Sequence, residues 1–179
     1  PVLFRMLYGT GIRISEAVNL KVCEVNLDEK YLIIRKSKNR KERMIPMSNT
    51  LAIVCKQYKD SLPALYAKEA NEEYFFVKRN GQNCSSKVIY EWFRKILWSS
   101  GISHGGKGHG PRLHDFRHTF SVHSLATMAE LGLDLYYSLP ILSEYLGHQS
   151  LEATDKYVRL TSDMYPDLIS NVNKICSYV

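Results

Sequence analysis

The sequence has no long apolar run, no paired-cysteine motif, no internal repeat and no low-complexity tract. Nothing approaches the roughly 20 apolar residues that a bilayer-spanning helix needs, and no signal-peptide pattern is present. Neither membrane insertion nor export is therefore indicated. Four cysteines, Cys23, Cys55, Cys84 and Cys176, lie far apart with no C-x-x-C pair. That spacing argues against a disulfide scaffold and fits reduced thiols in a cytosolic core. An initial methionine is also missing. The chain opens at Pro1, and we expect a piece of a longer protein whose partner domain lies outside it.

What is present supports one domain with a real core: 179 residues, of which 45% are hydrophobic. The formal net charge is +6 and the pI about 9.1, the footprint of a polyanion binder, though many ordinary proteins are as basic.

"PVLFRMLYGTGIRISEAVNL" reads as the end of one helix, a break at Gly9, Thr10 and Gly11, and a second helix bearing Ile14, Ala17, Val18 and Leu20. Residues 31–35 and 42–47 read as two strands joined by a turn dense in Lys, Asn and Arg. Helical spacing returns over 49–66, and "EYFFV" is a candidate short strand before the turn signal "RNGQN". Ser86–Ser99 reads as an amphipathic helix, and the glycine-rich "SSGISHGGKGHGPR" as loop. Helices are expected over 113–130, 138–146, 150–159 and 164–178. The expected fold class is α+β, mostly α-helical, with a small antiparallel β-sheet or hairpin. In the last helix Leu168, Val172, Ile175, Cys176 and Val179 share one face. Residues 161–179 are thus expected to dock on their own domain or on a neighbouring protomer.

"RLHDFRHTF" poses the chemical question. His114 and His118 stand at i and i+4 with Asp115 beside the first, much like the H-E-x-x-H zinc signature. Alternatively, His114 and Arg117 are i and i+3 neighbours suited to gripping a phosphate. For the zinc reading, His104, His109 and His123 are available as a third ligand. Elsewhere, Lys36, Lys38, Arg40, Lys41 and Arg43 crowd the hairpin. Such a run is commonly a solvated turn, but a lysine held against a phosphodiester can protonate a leaving oxygen. Arg13 opens a helix after a glycine-rich break, where free N–H groups favour anions, with Glu16 three residues on. In "EYLGHQSLEATDKYVRLT", Gly147 ends a helix through a positive φ, His148 follows, and Tyr157 comes nine residues later. A tyrosine can attack phosphorus, but a pKa near 10 means it needs neighbours to take its proton.

Read in order, these pieces resemble the tyrosine recombinase (phage integrase) family. "TGIRISEAVNL" is similar to its first arginine box, "KSKNRKERMIPM" to its catalytic hairpin, "LHDFRHTF" to its H-x-x-R-H box, and "YLGHQSLEATDKYVRLT" to its L-G-H box plus tyrosine. The likeness runs over residues 8–160. It implies that Arg13 and Arg117 clamp the non-bridging oxygens of a scissile phosphate, with Tyr157 as nucleophile. Lys38 is implied as general acid on the 5′-oxygen, picked over Lys36 and Lys41 by counting back from "KERMIP". His114 is implied to assist proton transfer with Tyr157, and His148 to hydrogen-bond the phosphate. Glu16 braces the site, His118 is a supporting histidine, and Lys36, Arg40, Lys41 and Arg43 bind DNA. No metal and no cofactor are implied, because the arginines supply the charge that a metal would bring.

The resemblance further implies site-specific recombination or integration of double-stranded DNA, with a tetramer of the full-length protein on two DNA sites. The present chain is expected to be monomeric, bacterial, cytoplasmic and nucleoid-associated, and to lack the N-terminal core-binding domain and the first catalytic-domain helix. Residues 1–179 would be one catalytic domain. The segment between Arg117 and His148 is longer than in compact recombinases, which hints at a mobile-element subgroup. Two other enzymatic or binding readings stand beside this one: a zinc hydrolase using His114 and His118, and a non-catalytic DNA-binding remnant. A strand-swivelling topoisomerase shares the chemistry, but the L-G-H box favours the recombinase.

Overall fold

The computed structural model describes residues 1–35, 42–65, 73–78, 80–103, 105–106, 109–148, 150, 152, 154 and 156–157. The expected hairpin residues Lys36, Lys38, Arg40 and Lys41, together with the expected helix over 164–178, lie outside these residues. The chain divides into two compact units, Pro1–Arg117 and His118–Val179.

In the first unit, helix α1 (Val2–Thr10) buries Leu3, Met6, Leu7 and Thr10, the i, i+3, i+4, i+7 stripe of a core-facing helix. Gly11 stops it: at φ 62° and ψ 12° it adopts the left-handed conformation, and its N–H returns to the Leu7 carbonyl at 3.0 Å. Helix α2 (Ile14–Val18) follows, then a single 3-10 turn (Val22–Glu24).

Strands β1 (Val25–Asn26), β2 (Tyr31–Ile34) and β3 (Arg43–Pro46) form an antiparallel sheet in that order. Leu32 pairs with Ile45 and Ile34 with Arg43. Leu32, Ile34 and Ile45 are buried, the period-2 signature of a sheet covered on one face. Pro46 is tolerated because β3 is an edge strand.

Helix α3 (Asn49–Leu65) is opened by Ser48, whose hydroxyl accepts the Leu51 N–H at 3.2 Å. Helix α4 (Ser86–Ser99) is capped in the same way by Ser85 and buries Ile89, Phe93 and Leu97. Helix α5 (Asp115–Glu130) begins in this unit. Its first turn contributes Phe116 to a ring cluster with Phe4 and Phe93, at centroid separations of 5.7 and 5.8 Å.

"EYFFV" is not a strand. Only Tyr74 and Val77 make single bridges, to Lys21 and Asn83, and the consecutive residues Phe75 and Phe76 are both buried. Adjacent strand residues point to opposite faces. Here both rings instead pack inward, edge to face with each other at 5.0 Å and against Tyr58.

The second unit holds the rest of α5, helix α6 (Leu135–Leu146) and the helical residues at positions 152, 154, 156 and 157. Its core is Val122, Leu125, Leu142, Leu146 and Tyr157, with Phe120 stacked on Tyr145 at 5.5 Å. Helix α6 starts three residues before the expected position 138, because the Asp134 carbonyl receives the N–H groups of Tyr137 and Ser138 at 3.1 and 3.0 Å. Pro140 therefore falls inside the helix rather than in its first turn. There its missing N–H removes one ladder bond.

Candidate active site

The first unit carries the arginines. Arg117 is 2% exposed, and its Nη1 donates to the Gly11 carbonyl at 2.9 Å. Gly11 thus does two things at once. Its left-handed turn ends α1, and its carbonyl anchors an arginine 106 residues away in sequence. Arg13, two residues further on, is the extended N-cap residue of α2, so the two arginine boxes are tied together at one turn.

Glu16 organises the other half of this cluster. Its carboxylate accepts the Arg13 backbone N–H at 2.8 Å, Arg13 Nη1 at 3.1 Å and Arg43 Nη2 at 2.7 Å. Burial pushes the Glu16 pKa up, but the hydrogen bond and charge of Arg43, and then those of Arg13, outweigh it and leave the pKa lowered. Glu16 is therefore an ionised brace between Arg13 and Arg43.

Arg43, expected among the DNA-binding residues, is turned inward. Its side chain is 9% exposed and ion-paired with Glu16. The charge density of the hairpin hid this, because the period-2 register that turns Arg43 inward lies in the strand rather than in the turn.

His114 is exposed in the turn preceding α5, not inside the helix, and its carbonyl accepts the Arg117 N–H at 3.0 Å. Asp115 accepts the Arg112 backbone N–H at 2.8 Å and pairs with the Arg112 guanidinium at 3.1 Å. The acid of the zinc-like motif thus serves as the opening lock of α5.

The second unit carries the tyrosine. Gly147, at φ 64°, ends α6: its N–H reaches the Glu144 carbonyl at 2.9 Å, and the His148 N–H reaches that of Ser143 at 3.0 Å. This is a Schellman closure, and it fixes where His148 leaves the helix. His148 Nδ1 then lies 2.7 Å from Thr154 Oγ1. Tyr157 is 2% exposed within the core. Its hydroxyl is 3.2 Å from His118 Nδ1, and its ring stacks on that of His148 at 6.1 Å and 21°.

His118, the second histidine of the H-x-x-R-H box, contacts the tyrosine hydroxyl. The sequence marked Gly11 only as part of a helix break, not as an anchor for Arg117, and did not single out Thr154. The only local signals for them are a small hydroxyl one helical turn before Tyr157 and a glycine just before the arginine.

Among the described residues, no three His, Cys, Asp or Glu side chains gather as metal ligands. With Asp115 engaged by Arg112 and His118 by Tyr157, the zinc-hydrolase reading finds no support. No helix among the described residues is long and apolar enough to cross a membrane.

A mostly helical domain with a small antiparallel sheet is the fold of tyrosine recombinase catalytic domains. The chain superimposes on a crystal structure of XerA recombinase with a TM-score of 0.69 at 25% identity, covering 90% of this chain and 54% of that one. It also aligns with the Tn1549 transposon integrase, solved in complex with a circular intermediate DNA, at a TM-score of 0.67 and 20% identity, covering 87% and 52%. The chain belongs to the phage integrase family, whose model matches residues 2–164. Tyrosine recombinase XerA of Pyrococcus horikoshii is 32% identical over 97% of this chain and 55% of its own length. The chain thus spans about half the length of the curated relatives it matches.

Proposed function

We propose that this chain is the catalytic part of a site-specific recombinase that cuts and rejoins double-stranded DNA through a 3′-phosphotyrosine link at Tyr157, acting for a bacterial mobile element. The observation that carries the reading is the setting of Tyr157: a hydroxyl 3.2 Å from one imidazole, in a ring stacked on a second. A tyrosine nucleophile needs a neighbouring base to take its proton, and an imidazole at hydrogen-bond distance can supply one.

In the proposed reaction the Tyr157 oxygen attacks phosphorus in line. The new bond is the phosphotyrosine ester, and the bond to the 5′-oxygen breaks. The tyrosine proton passes to imidazole. The family resemblance gives this role to His114, and His118 also has a ring nitrogen within reach of the hydroxyl, at 3.2 Å. Lys38 donates a proton to the departing 5′-oxygen. Arg13 and Arg117 hold the non-bridging oxygens as forked donors, and His148 bonds to the phosphate as charge builds. Lys36, Arg40 and Lys41 hold the DNA backbone.

A second strand's 5′-hydroxyl reverses the step, so the ester bond energy is conserved. General acid–base help of ~10²–10⁴ per group, multiplied by comparable charge stabilisation, gives a large acceleration without a metal. The DNA-bound state of the aligned Tn1549 integrase supports duplex DNA as partner. The active assembly is four full-length protomers on two sites, each with a further DNA-clamping domain N-terminal to these residues, and the present chain alone is a monomer.

The test mixes the complete protein with labelled DNA from the ends of its own element in EDTA, and looks for an adduct that survives SDS. An adduct that disappears in Tyr157→Phe is expected. Activity that returns only with zinc overturns the reading. DNA binding without an adduct leaves a non-catalytic remnant in its place.

A further inference from the structure

We propose that Thr154 is a positioning residue whose buried hydroxyl fixes the tautomer and orientation of His148; the inference rests on the recombinase reading above. Thr154 is fully buried, and its Oγ1 lies 2.7 Å from His148 Nδ1. It stands three residues before Tyr157, on the same helical segment. A threonine hydroxyl in a helix can donate its proton to a backbone carbonyl of the preceding turn. In that arrangement its lone pairs accept a proton from the adjacent ring nitrogen, and this is the arrangement we assign to Thr154 and His148, 2.7 Å apart.

His148 is thereby held as the Nδ1–H form, and Nε2 becomes the nitrogen that deals with the phosphate. The tautomer of a functional histidine is set by the bond that its other nitrogen makes. A carbonyl or a carboxylate commonly fills this role. Here it falls to a hydroxyl on the helix that also carries the nucleophile. Three fixings converge on the one ring: the Schellman closure at Gly147 sets the backbone, Thr154 sets the nitrogen, and stacking on Tyr157 at 6.1 Å sets the plane. Any shift of the Tyr157 helix would therefore be felt at His148 through Thr154. A threonine there merely to fill space would be replaceable by valine, which has the same shape and no hydroxyl.

The test uses Thr154→Val and Thr154→Ser with two readouts. The first is the ¹⁵N spectrum of the His148 ring, which needs no DNA. We expect a protonated Nδ1 in wild type and in Thr154→Ser, and a protonated Nε2 in Thr154→Val. The second is the rate of SDS-stable adduct formation by the complete protein. We expect Thr154→Val to be roughly tenfold to a hundredfold slower, the range seen when the orienting partner of a metal-bound histidine is removed, and Thr154→Ser to stay near the wild-type rate.

A wild-type His148 protonated at Nε2 overturns the proposal. So does Thr154→Val at full rate, or Thr154→Ser as slow as Thr154→Val, which would mean packing alone. If Thr154→Val does not fold, the wild-type spectrum and Thr154→Ser still decide. If wild type forms no adduct, the recombinase reading falls, while the ring spectrum still judges the Thr154–His148 bond.

Discussion

Arg43 Nη2 lies 2.7 Å from Glu16 Oε2, and the other oxygen of that carboxylate lies 3.1 Å from Arg13 Nη1. One buried carboxylate therefore joins the first arginine box to the strand that leaves the basic hairpin. With two cations and one anion the group keeps a positive charge, which is what a phosphate-binding site requires.

Replacing Glu16 with Gln keeps the shape and removes the charge, so two guanidinium groups face each other without their anion. Breaking a buried pair in this way costs about 3–5 kcal/mol, and we expect a matching fall in the urea midpoint together with loss of adduct formation. The pH dependence has a definite sign. A carboxyl whose folded pKa is lowered stabilises the protein above its unfolded pKa, and that contribution disappears as pH falls through the folded value. Wild type should lose stability across the acid range below the ordinary carboxylate value. Glu16→Gln should be flatter there. Equal slopes for the two proteins would show that Glu16 is not the ionised brace described above.

Tyr157 is a core residue as well as the candidate nucleophile, so the choice of substitution matters. Tyr157→Phe deletes one hydroxyl and one hydrogen bond to His118, worth about 1 kcal/mol, and leaves the packing on Leu125, Leu142 and Leu146 intact. Tyr157→Ala opens a cavity that costs about 3–5 kcal/mol. We expect both to lose the adduct, but only the alanine variant to lower the thermal midpoint substantially. A strongly destabilised phenylalanine variant would mean that the hydroxyl is chiefly structural.

Much of this was legible from sequence because it depends on local rules. The stops at Gly11 and Gly147 follow from glycine at helix ends, and the buried stripes of α1 and α4 follow from helical period. What was not legible depends on partners far apart in sequence. The Gly11 carbonyl meets Arg117 across 106 residues, and no local pattern announces that meeting. Arg43 looked like one more charge in a basic run, because a composition count does not see the strand register that turns it inward. His118 looked secondary because the motif names the first histidine of its box, and no local pattern announces that the second contacts Tyr157 across 39 residues. "EYFFV" failed as a strand because high β-propensity cannot tell a strand from two aromatic rings that both plug a core.

The cysteines provide a check on the packing of the first unit. Cys23 is exposed, while Cys55 and Cys84 are buried. Burial pushes the Cys55 thiol up to about 11 and raises that of Cys84, with Lys78 partly opposing the latter. The thiolate is the reactive form, so iodoacetamide at neutral pH should label Cys23 quickly and leave the other two until the unit opens, as mapped by peptide mass. A raised folded pKa favours the native state below the unfolded thiol value, and the advantage is lost as pH rises towards the folded one. Alkaline pH should therefore destabilise the unit, and less so in Cys55→Ala when each protein is measured against its own neutral value. Rapid labelling of Cys55 in the native protein would contradict its place against the core.

The two histidines of the H-x-x-R-H box can be separated by experiment. His118 Nδ1 is 3.2 Å from the Tyr157 hydroxyl and the rings are 5.4 Å apart, whereas His114 is exposed in the turn before α5, where its carbonyl accepts the Arg117 N–H. If contact decides which imidazole receives the tyrosine proton, His118→Gln should slow adduct formation by ~10²-fold or more, the ordinary size of a general-base contribution. It should leave DNA affinity unchanged, because His118 bonds to the nucleophile rather than to phosphate. His114→Gln, on the phosphate-binding side of the motif, should weaken DNA binding along with rate. The reverse pattern, in which His114→Gln abolishes the chemistry and His118→Gln retains it, would return the proton to His114 and make the His118–Tyr157 bond a resting contact of the uncharged tyrosine.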